Sequence, residues 1–217
     1  MTQLLLAAAF ACAIAYLFMP AGRSRVLRAI VKTVPVALFA VVAMLAGAPV
    51  LLVAALVHSA AGDLLLAFAR PAEPEDDASA PDPAFLAGLI AFLAGHVIYV
   101  VLFAQTQLSD TRPFALSIGL VMTLAAAAIG TILFRHAGPL RWPVMAYVAA
   151  ILAMGLAALP TGSWLLVAGA ALFMASDAIL GIERFVLPAG DARRSFTGPA
   201  IWALYVAAQT LILFVFI

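Results

Sequence analysis

Charge is scarce in this sequence. Eleven Lys and Arg and ten Asp and Glu make up 10% of its 217 residues, against about 25% in a soluble domain. So little polar surface cannot cover a water-soluble globule, and the apolar content is far too high for a disordered chain. A formal net charge of +1 offers no basic face to a polyanion, so no nucleic-acid partner is expected. Cysteine is scarcer still. Cys12 stands alone inside an apolar run, which excludes an internal disulfide and a cysteine-held metal cluster. What the chain has is apolar residues, 67% of the total. They run continuously rather than alternating, which argues against an outer-membrane β-barrel. The composition predicts an all-α integral membrane protein with the lipid bilayer as its surroundings.

A spanning helix needs about 20 mostly apolar residues. Eight stretches qualify, at about 2–19, 29–47, 49–69, 84–105, 113–134, 143–160, 163–182 and 199–217. Together they predict one eight-transmembrane-helix bundle over 1–217, with no domain boundary and no internal repeat. Most prolines fall at the breaks, among them Pro20, Pro49, Pro71, Pro143, Pro160 and Pro199, as expected of a residue that ends helices. Pro35 lies inside the second stretch. The two longest connections are 70–83 and 183–198. The first is acidic and proline-rich, and reads as a solvated loop; a metal or partner site at Glu73–Asp77 is the functional alternative. No basic residue precedes the first stretch, so it is expected to be a span and not a cleaved signal peptide.

The arginines orient the bundle. With alternate loops assigned to the cytoplasm, that side holds Arg23, Arg25, Arg28, Arg70, Arg135, Arg141, Arg184, Arg193 and Arg194, while the other side holds Arg112 alone. The bias predicts both termini on the non-cytoplasmic side of a bacterial-type inner membrane.

A few charges lie where apolar residues belong. Lys32, Asp63 and Asp177 fall within the stretches, and Glu183 at the edge of one. A lone charge at the bilayer centre costs about 2.5–3.5 kcal/mol even on lenient scales, so such residues face the bundle interior and mark function. Asp63 and Asp177 lie late in the third and seventh stretches, which run in the same direction. Their depth is therefore similar, and the two carboxyls are expected to share a cavity. A polar stripe accompanies them: Ser59, Ser176, His96, Tyr99, Tyr147, Tyr205, Gln209 and Tyr16. Each of these also fits a plainer role. Serines bond back to their own helix, tyrosines anchor at interfaces, glutamine bonds between helices, and Lys32 snorkels to the surface. Two further functions fit the buried charges. One is a metal-dependent lipid hydrolase using His58, His96, Asp63 and Asp177, although no paired-histidine motif is present. The other is a transporter or proton pathway. A serine hydrolase lacks its Gly-x-Ser-x-Gly elbow.

The motifs resemble those of the YhhN/TMEM86 lysoplasmalogenase family. Val57-His-Ser-Ala-Ala-Gly-Asp63-Leu-Leu-Leu is similar to its Ser-x-x-Gly-Asp-x-x-Leu motif. Phe85 to Tyr99 is similar to its Phe-x-x-Gly…Phe-x-x-Gly-His-x-x-Tyr segment. Leu172 to Leu180 is similar to its Phe-x-x-Ser-Asp segment, and Tyr205-Val-Ala-Ala-Gln209 to its last-helix motif. Lys32 stands where the family has a membrane-embedded lysine, although Thr33 replaces the proline that often follows it. The resemblance covers most of the chain. It implies an eight-helix fold and hydrolysis of the vinyl ether bond of lysoplasmalogen, with a lysophospholipid as substrate and no metal or organic cofactor. That reaction needs a proton donor and a stabilising carboxylate, so Asp63 and Asp177 are expected to be the catalytic pair, the latter leaning toward the proton donor, with supporting roles for Lys32, Ser59, His96, Tyr99, Tyr147, Ser176, Tyr205 and Gln209. Lys32 is expected either to bind the substrate phosphate or to pair with one aspartate.

Overall fold

The computed structural model describes residues 1–20, 22–70, 82–108 and 115–217. Its regular structure is helical: α1 (Thr2–Leu17), α2 (Arg25–Leu45), α3 (Val50–Ala67), α4 (Pro83–Ala104), α5 (Ala115–His136), α6 (Arg141–Ala158), α7 (Trp164–Phe185) and α8 (Arg194–Phe216). Short 3-10 turns at Gly138–Leu140 and Leu159–Thr161 flank α6. The acidic segment with Glu73–Asp77, and Arg112, lie outside the described residues.

Seven helices are long and apolar enough to cross a membrane, and α1 is a shorter apolar helix of 16 residues. Each helix overlaps one expected stretch. The largest departure is α8, which begins at Arg194 and carries Pro199 inside it, whereas the sequence reading breaks the chain at that proline. The reason lies in the preceding turn. Arg193 donates to the Asp191 carboxylate at 2.9 and 2.7 Å. Arg194 donates to the carbonyls of Glu183, Leu187 and Pro188 at 2.6–2.8 Å. Those bonds satisfy carbonyls left over at the end of α7 and start the next helix early. Pro199 is then the sixth residue of α8 and leaves the Ser195 carbonyl without its intrahelical donor. Pro35 lies within α2 and is buried.

Helix contacts define a closed ring in the order α2, α3, α4, α6, α7, α8 and back to α2, with α1 packed outside on α2 and α8, and α5 outside on α6 and α7. Two pairs are drawn together by small residues, as membrane helices require. A Cβ built on Gly95 of α4 would meet the Ala55 carbonyl and Ser59 Oγ of α3 at 3.4 Å. One on Gly169 of α7 would lie 3.2 Å from the Ala208 carbonyl of α8. Large apolar side chains such as Leu116, Leu120 and Val121 are exposed on α5, the pattern of a surface that faces lipid.

All nine arginines among the described residues gather at one end. Six of them line a single cavity there. Arg193 belongs to the α7–α8 connection. Arg135 and Arg141 flank the α5–α6 turn, which packs against Phe185 and Val186 at the end of α7. The other end, among the described residues, bears no charged side chain.

Candidate active site

Each ring helix carries one polar side chain toward the arginine-rich half of the interior: Lys32 on α2, Asp63 on α3, His96 on α4, Tyr147 on α6, Asp177 on α7 and Tyr205 on α8. Asp63 is buried, 1% exposed. Its Oδ1 lies 3.3 Å from Lys32 Nζ, and its Oδ2 accepts from the Tyr205 hydroxyl at 2.7 Å. Charge-assisted bonds of this kind are the strong ones, and together they compensate for taking a carboxylate out of water. Lys32 thus pairs with an aspartate, the second of its two expected roles.

Asp177 has different company. The Tyr147 hydroxyl donates to its Oδ2, and His96 Nε2 lies 3.7 Å from the same oxygen. The other ring nitrogen of His96 donates to the Phe92 carbonyl at 2.7 Å. A carbonyl only accepts, so that bond puts the proton of a neutral ring on Nδ1 and turns the Nε2 lone pair toward Asp177. Phe173 and Tyr147 stack edge-on against this ring at centroid distances of 4.6 and 5.1 Å, fixing its plane.

Both aspartates line one cavity of ≈ 160 Å³, with Tyr16, Lys32, Phe92, Ser176, Trp202 and Tyr205 around it. A second cavity, of ≈ 290 Å³, begins at Asp177 and Tyr147 and continues between α4, α5, α6 and α7 over an almost wholly apolar lining. Its far rim is formed by Val121 and Ala125, which are exposed on α5. The cavity therefore reaches the surface that faces lipid.

The remaining candidates fall elsewhere. Tyr99 donates to Gln209 Oε1 at 2.5 Å, a buried link between α4 and α8 that does not line the carboxylate cavity. Ser59 Oγ has no hydrogen-bond partner among the described residues and packs against Gly95. Ser176 touches the cavity but spends its hydroxyl on the Ile201 carbonyl at 2.9 Å, tying α7 to α8. His58 turns back to the Ala54 carbonyl of its own helix at 2.8 Å. Among the described residues, no three His, Cys, Asp or Glu side chains are grouped to hold a metal ion. Sequence reasoning misses Phe92 and Trp202 as cavity walls and Phe173 as the ring packed against His96, and reads Arg184 only as a topology marker. The apolar walls carry no signal that separates them from any other core aromatic.

The fold and this site together define an all-helical protein that encloses a carboxylate pair within segments able to cross a membrane. The chain belongs to the YhhN family, which it matches over residues 27–216, as the motifs imply. It is 36% identical over 169 residues to a protein named lysoplasmalogenase from Mycobacterium bovis, covering 74% of this chain and 58% of that one. A protein of the same name from Mycobacterium tuberculosis matches to the same extent. This chain thus spans less than two thirds of the length of those relatives. Human lysoplasmalogenase TMEM86B is 32% identical over 209 residues, 93% of this chain and 80% of the human one. No solved structure matches.

Proposed function

We propose that this protein is a lysoplasmalogenase. It hydrolyses the vinyl ether of a 1-alkenyl-glycerophosphoethanolamine or -choline to a fatty aldehyde and the glycerophospho-base. One observation carries the reading beyond family membership. The carboxylate cavity lies between the apolar cavity and the arginine-lined one, sharing Asp177 and Leu180 in its wall with the first and Lys32 and Glu183 with the second. A single-chain lipid laid across that junction has its tail in the apolar cavity, its head among the arginines and its ether bond at the aspartates.

A vinyl ether is cleaved by protonating its β-carbon. Asp177 is the proton donor, because its neighbours are a hydroxyl and an imidazole and no fixed cation adjoins it. Asp63 is the stabilising carboxylate, because Lys32 and Tyr205 bind its ionised form. Proton transfer from Asp177 to carbon yields an oxocarbenium ion facing Asp63, much as paired carboxylates serve a related cation in glycosidases. Water adds, giving its proton to Asp63, and a hemiacetal forms. Asp63 then protonates the glycerol oxygen while Asp177 takes the hemiacetal hydroxyl proton. The carbon–oxygen bond breaks, and both aspartates return to their starting states. His96 holds the Asp177 carboxyl in place.

In this reading all eight helices cross the bacterial inner membrane, both termini lie outside, and the arginine end faces the cytoplasm. The test is aldehyde release from 1-alkenyl-lysophosphoethanolamine by purified protein in detergent, with acyl and alkyl analogues alongside. Release from the alkenyl lipid alone is expected. Asp63→Asn and Asp177→Asn should each lower kcat by about 10²–10⁴-fold, the usual share of a positioned acid or base. A folded variant retaining near-full rate removes that residue from the mechanism.

A further inference from the structure

The arginine-rich end holds a cavity of ≈ 700 Å³ that the hydrolytic chemistry does not use. Besides Lys32 it is lined by Arg23, Arg25, Arg28, Arg70, Arg184 and Arg194, with Glu183 as the acidic residue in its wall. The guanidinium groups are held by neutral partners. Arg25 donates to the carbonyls of Ala67, Phe68 and Ala69 at 2.6–3.2 Å. Arg28 donates to those of Met19 and Pro20, and Arg184 to that of Arg70 at 2.6 Å. These bonds orient the charges without cancelling them. Among the described residues, Glu183 approaches Arg194 at 3.7 Å, and Asp82 lies near Arg70 and Arg184. Among the described residues, cations outnumber acids in this wall. Backbone carbonyls near helix ends engage four of the six, Arg25, Arg28, Arg184 and Arg194; that capping leaves their charge in place and does not account for Arg23 and Arg70 facing the same cavity.

Arg184 occupies the border. It lines this cavity and the apolar one, and its guanidinium lies 4.5 Å from the centroid of the Phe85 ring, which fixes it there. It follows Asp177 by seven residues on the same helix. That is two turns, about 10 Å along the axis on the same face. A glycerol backbone plus the reach of an arginine side chain covers that separation.

We propose that this cavity is a phosphodiester site for the head of the single-chain lipid, with Arg184 joining head recognition to tail recognition. Guanidinium forks match phosphate oxygens in pairs, whereas Lys32 is already engaged by Asp63. The inference rests on the lysoplasmalogenase reading for the identity of the tail and the reacting bond.

The test compares 1-alkenyl-glycerophosphoethanolamine with 1-alkenylglycerol, which has the same vinyl ether and no phosphate. Arg184→Gln should raise KM for the phosphorylated lipid by about tenfold, the worth of one charged hydrogen bond, with little change in kcat or in KM for alkenylglycerol. Arg184→Lys should recover part of the loss. Arg23→Gln, at an exposed position, gives the same comparison if Arg184→Gln fails to fold. An equal rise for both lipids, or none, overturns the proposal. A second arm measures binding by thermal shift, with 1-alkyl-glycerophosphoethanolamine, 1-alkylglycerol and inorganic phosphate as probes. If neither alkenyl lipid is cleaved, the vinyl ether reading falls while this arm still decides the site. Binding that depends on the phosphate and weakens in Arg184→Gln upholds it. Equal binding of both alkyl lipids, or equal protection by inorganic phosphate alone, overturns it.

Discussion

Asp63 faces an ammonium and a phenol, and Asp177 faces a phenol and an imidazole. The same side-chain type is thereby placed in two different environments. Breaking the Lys32–Asp63 pair by Lys32→Met leaves a buried carboxylate with the Tyr205 hydroxyl but no counter-charge and should cost about 3–5 kcal/mol of stability. Adding Asp63→Leu to that variant should restore much of the loss, since replacing both partners is far cheaper than removing one. Unfolding in graded detergent mixtures measures both; a double variant no more stable than Lys32→Met contradicts the pairing. At this scale the sequence is a good guide to which charged residues lie in the bundle interior. A charge inside a 20-residue apolar stretch stands out without any alignment. It is a poor guide to who meets whom. Tyr99 and Gln209 lie on the same expected stripe as Tyr147 and Tyr205, yet they bond to each other, because one helical turn of depth decides which hydroxyl reaches a carboxylate.

The helices that hold these groups depend on close approach. At Gly169 an added Cβ would lie 2.9 Å from Ile212 Cγ1 and 3.2 Å from the Ala208 carbonyl, whereas at Gly95 the nearest atoms are 3.4 Å away. Gly169→Ala should therefore destabilise by about 1–3 kcal/mol, the usual cost of overpacking, and Gly95→Ala by less. The reverse order in an unfolding titration would contradict the helix separations. In the α7–α8 connection, the side chain of Arg193 hydrogen-bonds the Asp191 carboxyl and pushes its pKa down to about 2. A depressed pKa means the clasp contributes fully above the unfolded value of about 3.9 and is lost as pH falls through about 2. Carboxyl carbon shifts should report that low titration, and Arg193→Gln should return it toward the ordinary aspartate range. Helix positions are legible in the sequence because bilayer thickness imposes them. Helix ends are less so: α8 starts five residues before Pro199 because arginine caps outweigh one missing N–H.

The ring is the least legible level. Lipid is as apolar as any packed interior, so hydropathy does not separate a ring helix from a peripheral one, and α5 reads from sequence like α3 or α7. The arginine bias is visible in sequence as a statement about sidedness, but not as a cavity, because residues from four separate parts of the chain converge only in the folded bundle. Sidedness itself is testable. In a Cys12→Ala background, a cysteine replacing Arg193 should react with impermeant maleimide only from the cytoplasmic face, and one placed after Ile217 only from the opposite face. Labelling of both from one side would contradict the orientation.

The apolar cavity ends at Val121 and Ala125 on the exposed apolar side of α5, and the basic one lies at the arginine-rich end of the bundle. On the lysoplasmalogenase reading, a lipid cut between them would release its two fragments into different phases. The aldehyde dissolves in the membrane and is diluted in two dimensions, while the glycerophospho-base is diluted in three. Recombination would then require both to return to the same spot from separate reservoirs, which on this reading adds to the one-way direction that hydrolysis of a vinyl ether to an aldehyde already has. The same arrangement would also make turnover sensitive to the fluidity of the surrounding bilayer: a stiffened membrane slows departure of one fragment and leaves the other unaffected.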